Sequence, residues 1–182
     1  MYEDLLEKKL RSENIYDGVL LHVRRDTVTL PNGREAVREW VRHPGASAVL
    51  PVFEDGTVLL VRQYRYPVDR VTLEIPAGKL DSPKEDPLVC AVRELSEETG
   101  YTAKHWEKLT TIGTTVGFSN EYIHIYAAHD LQAGEQHTDD DEFIHVVKMP
   151  FEEAVERVKS GEIFDAKSVT AILMTAFGKA KH

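Results

Sequence analysis

Apolar residues recur along the chain in short runs, interrupted by three longer stretches of helical spacing. Val19, Leu21 and Val23 fall at every second position, as do Val28 and Leu30. The Pro31-Asn32-Gly33 turn separates them from a strand predicted over residues 36–41. Ahead of them, residues 1–14 are polar and charged and predict a lead with at most a helical turn. Two or three strands with so little apolar surface do not make a core, because isolated hairpins are marginal in water. They need a surface to pack on, either the domain that follows or a partner subunit.

Residues 47–53 and 57–63 are apolar runs on either side of Glu54-Asp55-Gly56, and Asp-Gly between two such runs is a hairpin signal. Tyr64-Arg65-Tyr66-Pro67 ends the second run. Residues 72–76 are apolar apart from Glu74 and lead into a turn at Gly78. Further strands are predicted over residues 105–113, 122–129 and 143–149, with a loop over 114–120 and a polar, acidic stretch over 131–142. Residues 150–159 read as a helix closed by Gly161, with Phe151, Ala154, Val155 and Val158 on one face. Asp165 caps a last helix over residues 166–177. Short strands mixed with helices define an α+β chain, equivalently an α/β/α sandwich around a mixed sheet.

The helix between these halves carries the candidate chemistry. Asp86 suits the N-cap, Pro87 the first helical position and Gly100 the position just past the end, so the spacing predicts a helix over residues 87–99. Leu88, Val92 and Leu95 make its expected buried stripe, with Glu94 and Glu98 together beside it. Glu97 adjoins them, and Arg93 lies one turn before Glu97. Like charges at this spacing cost a helix a few tenths of a kcal/mol each. A bound divalent cation reverses the sign of that effect, and hard cations such as Mg²⁺ take carboxylate oxygens together with substrate phosphates. The same glutamates also fit a solvated acidic helix face.

Composition narrows the classes. At 182 residues and 20.6 kDa the chain is one domain, or one with a small extension, and 42% apolar residues can supply its core. A net charge of −9 argues against a nucleic-acid backbone or an anionic membrane as partner. The lone Cys90 excludes an intramolecular disulfide and is expected in the core. The eight histidines show no zinc-ligand spacing. The N-terminus has no apolar signal-peptide region, and no run approaches the ~20 apolar residues of a membrane span. A cytoplasmic location is expected.

Gly78, Glu85, Arg93, Glu94, Leu95, Glu97, Glu98, Gly100 and Tyr101 resemble the Nudix box, G-x5-E-x7-R-E-U-x-E-E-x-G-U, where U is a bulky apolar residue. Every position from Glu85 onward fits. Six residues rather than five separate Gly78 from Glu85, so the entry loop is one residue longer. The resemblance implies a mixed sheet between helices, with the box as a loop-helix-loop. The chain then divides into a small N-terminal β extension, residues 1–42, and a Nudix hydrolase domain, residues 43–182. Val-Arg-Gln-Tyr-Arg (residues 61–65), Pro-Ala-Gly-Lys-Leu (76–80), Gly-Phe-Ser-Asn-Glu (117–121), the acidic run before Phe143 and residues 158–168 are similar to the bacterial ADP-ribose pyrophosphatase branch of that family.

That branch hydrolyses ADP-ribose to AMP and ribose 5-phosphate by attack of water on phosphorus. Close relatives cleave GDP-mannose or other nucleoside diphosphate sugars. They are homodimers whose N-terminal strands cross onto the partner, which would give residues 15–41 their packing surface. The resemblance implies that Glu94 and Glu98 ligate Mg²⁺ (or Mn²⁺), that Glu97 ligates or supports it, that the Ala77 carbonyl is a further ligand, and that Arg93 orients the glutamates. An acidic residue of a later loop acts on the water: Glu142 is the first choice, with Asp140 and Asp141 as alternatives. The run over residues 139–142 also fits a solvated acidic loop. Arg65 is expected to hold the diphosphate or the terminal ribose. Trp40 and Tyr64 are candidates to stack on the base, Arg38 and Glu39 to touch it across the dimer, and Glu121 to contact substrate. An aromatic at a strand end equally fits core or interface packing. A non-catalytic domain that senses ADP-ribose is the rival from another class. Such domains typically lose box glutamates, and all of them are present here. An RNA-decapping role is disfavoured by the absence of a basic-groove signal.

Overall fold

The computed structural model describes residues 2–138 and 142–178. They form two compact units, one of residues up to 44 together with 113–121, and one of the remainder.

The first unit is a three-stranded antiparallel sheet in the order β1 (Lys8–Asp17), β2 (His22–Thr29), β3 (Glu35–Arg42). β1 was not legible as a strand. All of its residues are exposed, so no apolar alternation marks it. It is held by its ladder with β2, which carries two register shifts. Val19 and Leu21 are not strand residues either. They lie in the β1–β2 turn, where the Gly18 N–H donates to the Leu21 carbonyl at 2.9 Å. Residues 113–121 join this sheet through the Val41 N–H, which donates to the Phe118 carbonyl (2.8 Å), and through Asn120 Oδ1, which accepts from the His43 N–H (2.8 Å).

The second unit contains two sheets. One has the order β10 (His145–Pro150), β5 (Thr57–Arg65), β6 (Arg70–Glu74). The other runs β7 (Ala77–Lys79), β4 (Ala46–Pro51), β9 (Tyr122–Ala133), β8 (Tyr101–Gly113), and it is mixed: β4 is parallel to β9 and antiparallel to β7. The Asp55-Gly56 turn forms, with Gly56 at φ +78°, yet β4 and β5 meet only at the Val52–Val58 bridge and enter different sheets. β9 runs along one edge of β4 for its whole length, while on the other β7 pairs Ala46–Ala48 and the Val49 N–H donates to the Pro76 carbonyl at 2.9 Å. Leu50, Leu60, Ile75, Ile125, Ile163 and Ile172 fill the main core, drawn from both sheets, the loop before α3 (Ala166–Phe177), and α3 itself; Ala154 of α2 (Phe151–Lys159) joins them. A smaller cluster of Val49, Leu95 and Ala128 seats α1 (Pro87–Thr99) on the opposite face of β4. No helix among the described residues is long and apolar enough to cross a membrane.

Candidate active site

α1 begins and ends where its capping residues predict. The Asp86 carboxylate accepts from the Leu88 N–H at 2.9 Å, and Gly100, at φ +73°, donates to the Ser96 carbonyl at 2.8 Å. Its buried face is not the expected one. Val92 is 40% exposed and Leu88 only half-buried, whereas Cys90, Ala91, Glu94, Leu95, Glu98 and Thr99 are buried. The two glutamates lie on the packed face itself.

Each is held by a specific device. Glu98 accepts from the Ala77 N–H at 3.1 Å, at the start of β7. Glu94 lies flat against Gly78, so closely that a Cβ there would stand 2.0 Å from Oε1. Any side chain at residue 78 would therefore occupy the carboxylate's space. Burial pushes Glu94 up to about 7, with Arg93 pulling against it and Glu97 and Glu142 adding to it. Burial, then the charges of Glu94 and Glu142, push Glu98 up to about 8. Two carboxylates are thus buried side by side with too little positive charge to balance them.

Arg93 is the cation paired with Glu94. Its Nη1 donates to Glu94 (2.7 Å) and Glu97 (3.1 Å), its Nη2 donates to the Lys79 carbonyl (3.2 Å), and Asp81 and Glu85 stand at 3.6 and 3.8 Å from Nη2. The longer entry loop is taken up in a turn, where the Glu85 N–H donates to the Ser82 carbonyl and Glu85 accepts from the Asp81 N–H at 2.6 Å. Glu85 thereby still faces Arg93.

Residues 134–137, which follow β9, are tied to the C-terminal end of α1. The Gly134 N–H donates to the Gly100 carbonyl (2.6 Å), Gln136 Nε2 to the Glu98 carbonyl (2.6 Å), and the His137 N–H to the Glu97 carbonyl (3.1 Å). These bonds satisfy carbonyls that a helix end leaves open. Nothing in the chain's pattern marks Gln136 for this role. Glu142 is exposed and within electrostatic reach of both buried glutamates, whereas Asp140 and Asp141 lie outside the described residues.

Arg65, at the end of β5, grips Glu74 of β6 with two bonds, Nε to Oε1 at 2.9 Å and Nη2 to Oε2 at 2.8 Å. Lys167 also donates to Glu74, and to Asp165 at 2.8 Å. Neither Glu74 nor Lys167 belongs to the Nudix box. The visible signal was a lone charge in the apolar run over 72–76. Tyr64 does not join this cluster; its hydroxyl donates to Asp69 at 2.6 Å, and neighbouring strand residues point to opposite faces.

Arg38, Glu39, Trp40 and Glu121 belong to the first unit. Arg38 Nε donates to Glu7 (3.0 Å), Glu39 accepts from Arg25 (2.8 Å), the Trp40 indole N–H donates to the buried Asp26 (3.0 Å), and Glu121 accepts from the Thr114 hydroxyl (2.6 Å).

Among the described residues no three carboxylate, imidazole or thiol groups converge as metal ligands. Glu94 is turned to Arg93 and Glu98 to Ala77. The donor set nevertheless suits a hard divalent cation, since it consists of carboxylate oxygens whose mutual repulsion such an ion would relieve.

A NUDIX domain model matches residues 41–171, and a model described as the nucleoside diphosphate sugar hydrolase N-terminal domain matches residues 7–41. The chain is a Nudix hydrolase. It is 43% identical over 172 residues to the ADP-ribose pyrophosphatase of Bacillus subtilis, covering 93% of this chain and 92% of that protein. It is 42% identical over 168 residues to a protein of Bacillus methanolicus named methanol dehydrogenase activator, covering 91% and 90%. Among solved structures it is similar in fold to one titled as an ADP compounds hydrolase, with a TM-score of 0.81, 23% identity, and coverage of 97% and 98%. Nudix hydrolases generally need a divalent metal, which agrees with the donor chemistry around Glu94 and Glu98.

Proposed function

We propose that this Nudix hydrolase cleaves the diphosphate of ADP-ribose to AMP and ribose 5-phosphate, with Mg²⁺ (or Mn²⁺) as its metal. What carries this function is the pair of buried, under-compensated carboxylates, Glu94 and Glu98, packed against Gly78 and Ala77. Such an arrangement costs stability unless a cation is bound. The similarity to the Bacillus subtilis ADP-ribose pyrophosphatase supports the choice of substrate.

Glu94 and Glu98 would hold the metal, with Glu97 on the more exposed side and the Ala77 carbonyl as a further ligand. When bound, the metal supplies charge stabilisation to the diphosphate and acidifies water. Arg93 fixes Glu94 and Glu97 through one guanidinium. Glu142 accepts the proton of the attacking water as the new P–O bond forms and the bridging P–O bond breaks. Asp140 and Asp141 stand as alternatives for that proton. Arg65 holds the diphosphate or the terminal ribose, Tyr64 and Trp40 are candidates to stack on the base, Arg38 and Glu39 touch it across the dimer, and Glu121 contacts substrate. The N-terminal extension, residues 1–42, would complete a cytoplasmic homodimer of Nudix domains, residues 43–182.

A second substrate within the same chemistry, another nucleoside diphosphate sugar such as GDP-mannose, is favoured by the description of the N-terminal domain match. Product analysis on ADP-ribose, GDP-mannose, UDP-glucose, NADH and diadenosine polyphosphates, with Mg²⁺ and then with EDTA, separates these. AMP from ADP-ribose above the others supports the proposal, and preference for another diphosphate sugar moves the substrate. No turnover with tight ADP-ribose binding would make the protein a sensor.

A further inference from the structure

Two buried polar side chains tie α1 to the strands beneath it. Ser47 is fully buried within the apolar run of β4. Its hydroxyl donates at 2.6 Å to the carbonyl of Pro87, in the first turn of α1. A helix leaves open only the carbonyls of its last turn, so this bond caps nothing; it fastens the helix to the sheet. Cys90 is also fully buried, beside the Ser47 hydroxyl. Burial pushes its thiol up to about 11, so it carries a proton to donate. Sγ lies 3.4 Å from the Lys79 carbonyl and 3.7 Å from the Gly78 carbonyl of β7, and it accepts from Arg93 Nη2 at 3.5 Å. Arg93 Nη2 meets the same Lys79 carbonyl at 3.2 Å. These contacts converge where Glu94 lies against the sheet. Ser47 stands opposite Gly78 in the β4–β7 ladder, and directly paired residues face the same side. Gly78 leaves no room for a Cβ beside Glu94, so α1 and β7 meet there without slack. The apolar seat of the helix consists of Val49, Leu95 and Ala128, and apolar contact has no direction. It presses α1 onto the sheet but does not stop a slide of the ~0.5 Å that matters to a ligand set. Directional hydrogen bonds at Pro87 and at β7 do.

We infer that Ser47 and Cys90 are positioning residues, which together fix the depth and register of α1 on β7 and so hold the Glu94 and Glu98 carboxylates in place for the cation. This rests on the metal-binding reading of those glutamates. Ser47 acts through the first turn of α1. Cys90 acts through the β7 backbone, next to the Ala77 N–H on which Glu98 rests.

The test uses the full chain and the variants Ser47→Ala, Cys90→Ala and Cys90→Ser. Mn²⁺ binding is measured by electron paramagnetic resonance, and the Mg²⁺ concentration for half-maximal hydrolysis of ADP-ribose by kinetics. Exchange of the Ala77 amide is followed by NMR in EDTA, relative to core amides of β5. Ser47→Ala and Cys90→Ala should each weaken Mn²⁺ binding about tenfold, the lower end of what supporting contacts give a metal site. The Mg²⁺ requirement should rise by as much, with KM at saturating Mg²⁺ within about twofold of wild type. Cys90→Ser keeps a donor and should stay within about threefold of wild type in Mn²⁺ binding. The Ala77 amide should exchange faster in both alanine variants while the β5 amides keep their rates. Wild-type Mn²⁺ affinity and Ala77 exchange in both alanine variants, with only a lower melting temperature, would overturn the inference. A wild-type protein that binds no Mn²⁺ would refute the metal reading, and Ala77 exchange would still decide whether Ser47 and Cys90 hold α1 on β7.

Discussion

Replacing Glu98 by glutamine keeps the side chain's size and an oxygen to accept from the Ala77 N–H, but removes its charge. In the metal-free protein that charge is a burden. The group is 3% exposed, and its pKa stands at about 8 rather than 4.5. A carboxyl group raised in the folded state costs nothing below the unfolded value. It destabilises progressively as pH climbs from about 4.5 to about 8, and the penalty is complete above that. At about 1.4 kcal/mol per pH unit, the full span corresponds to an upper figure of about 5 kcal/mol. Glu94 titrates over the same range and shares the strain, so about 2–3 kcal/mol is the expected gain for Glu98→Gln. In a chain of this size that is a rise of roughly 5–10 °C in melting temperature. The assay is thermal unfolding in EDTA at pH 5 and pH 8.5, repeated with Mg²⁺. The variant should match wild type at pH 5, exceed it at pH 8.5, gain little from Mg²⁺, and show no turnover. A variant no more stable than wild type at pH 8.5 in EDTA would refute the claim that the buried carboxylate strains the metal-free fold. Turnover within a few-fold of wild type would sink its assignment as a ligand.

Gly78→Ala places a Cβ where the Glu94 carboxylate lies, so kcat/KM should fall at least about a hundredfold while circular dichroism stays native; near-normal kinetics would show that the close approach is dispensable. Glu74 is held down to about 2 although burial opposes this, because Arg65, Lys167 and Thr72 bind the ionised form. Its folded value is depressed, so its stabilisation is full above about 4.5 and is lost as pH falls towards 2. Urea melts should show the stability difference between wild type and Glu74→Gln shrinking by up to about 3 kcal/mol across that window. Gln136→Ala removes the donor to the Glu98 carbonyl and should cost about 1 kcal/mol in chemical denaturation. It should also lower kcat more than KM if Gln136 helps to hold Glu142 over the α1 glutamates; equal effects on both would count against that link.

Much of the site was legible because it is local. The caps of α1, its span and the order Arg93-Glu94-Leu95-Ser96-Glu97-Glu98 depend on residues a few positions apart, and helical geometry turns that spacing into position. The same holds for α3 and Asp165. Apolar spacing does not mark the face that α1 buries, since Val92 is exposed while Glu94 and Glu98 are buried. The helix instead packs its glutamates inward, against a glycine and a backbone N–H supplied by β7. β1 escaped notice because backbone pairing with β2, not burial, makes it a strand.

By itself, the sequence determined the helices, their ends, the box and hence the family, since each follows from short-range spacing. Tertiary structure alone decided that β4 and β5 part into separate sheets, that Gly78 makes room for Glu94, that Gln136 secures the end of α1, and that Lys167 meets Arg65 on Glu74. Each of these joins residues brought together by strand pairing and core packing, and no periodicity along the chain encodes such a meeting.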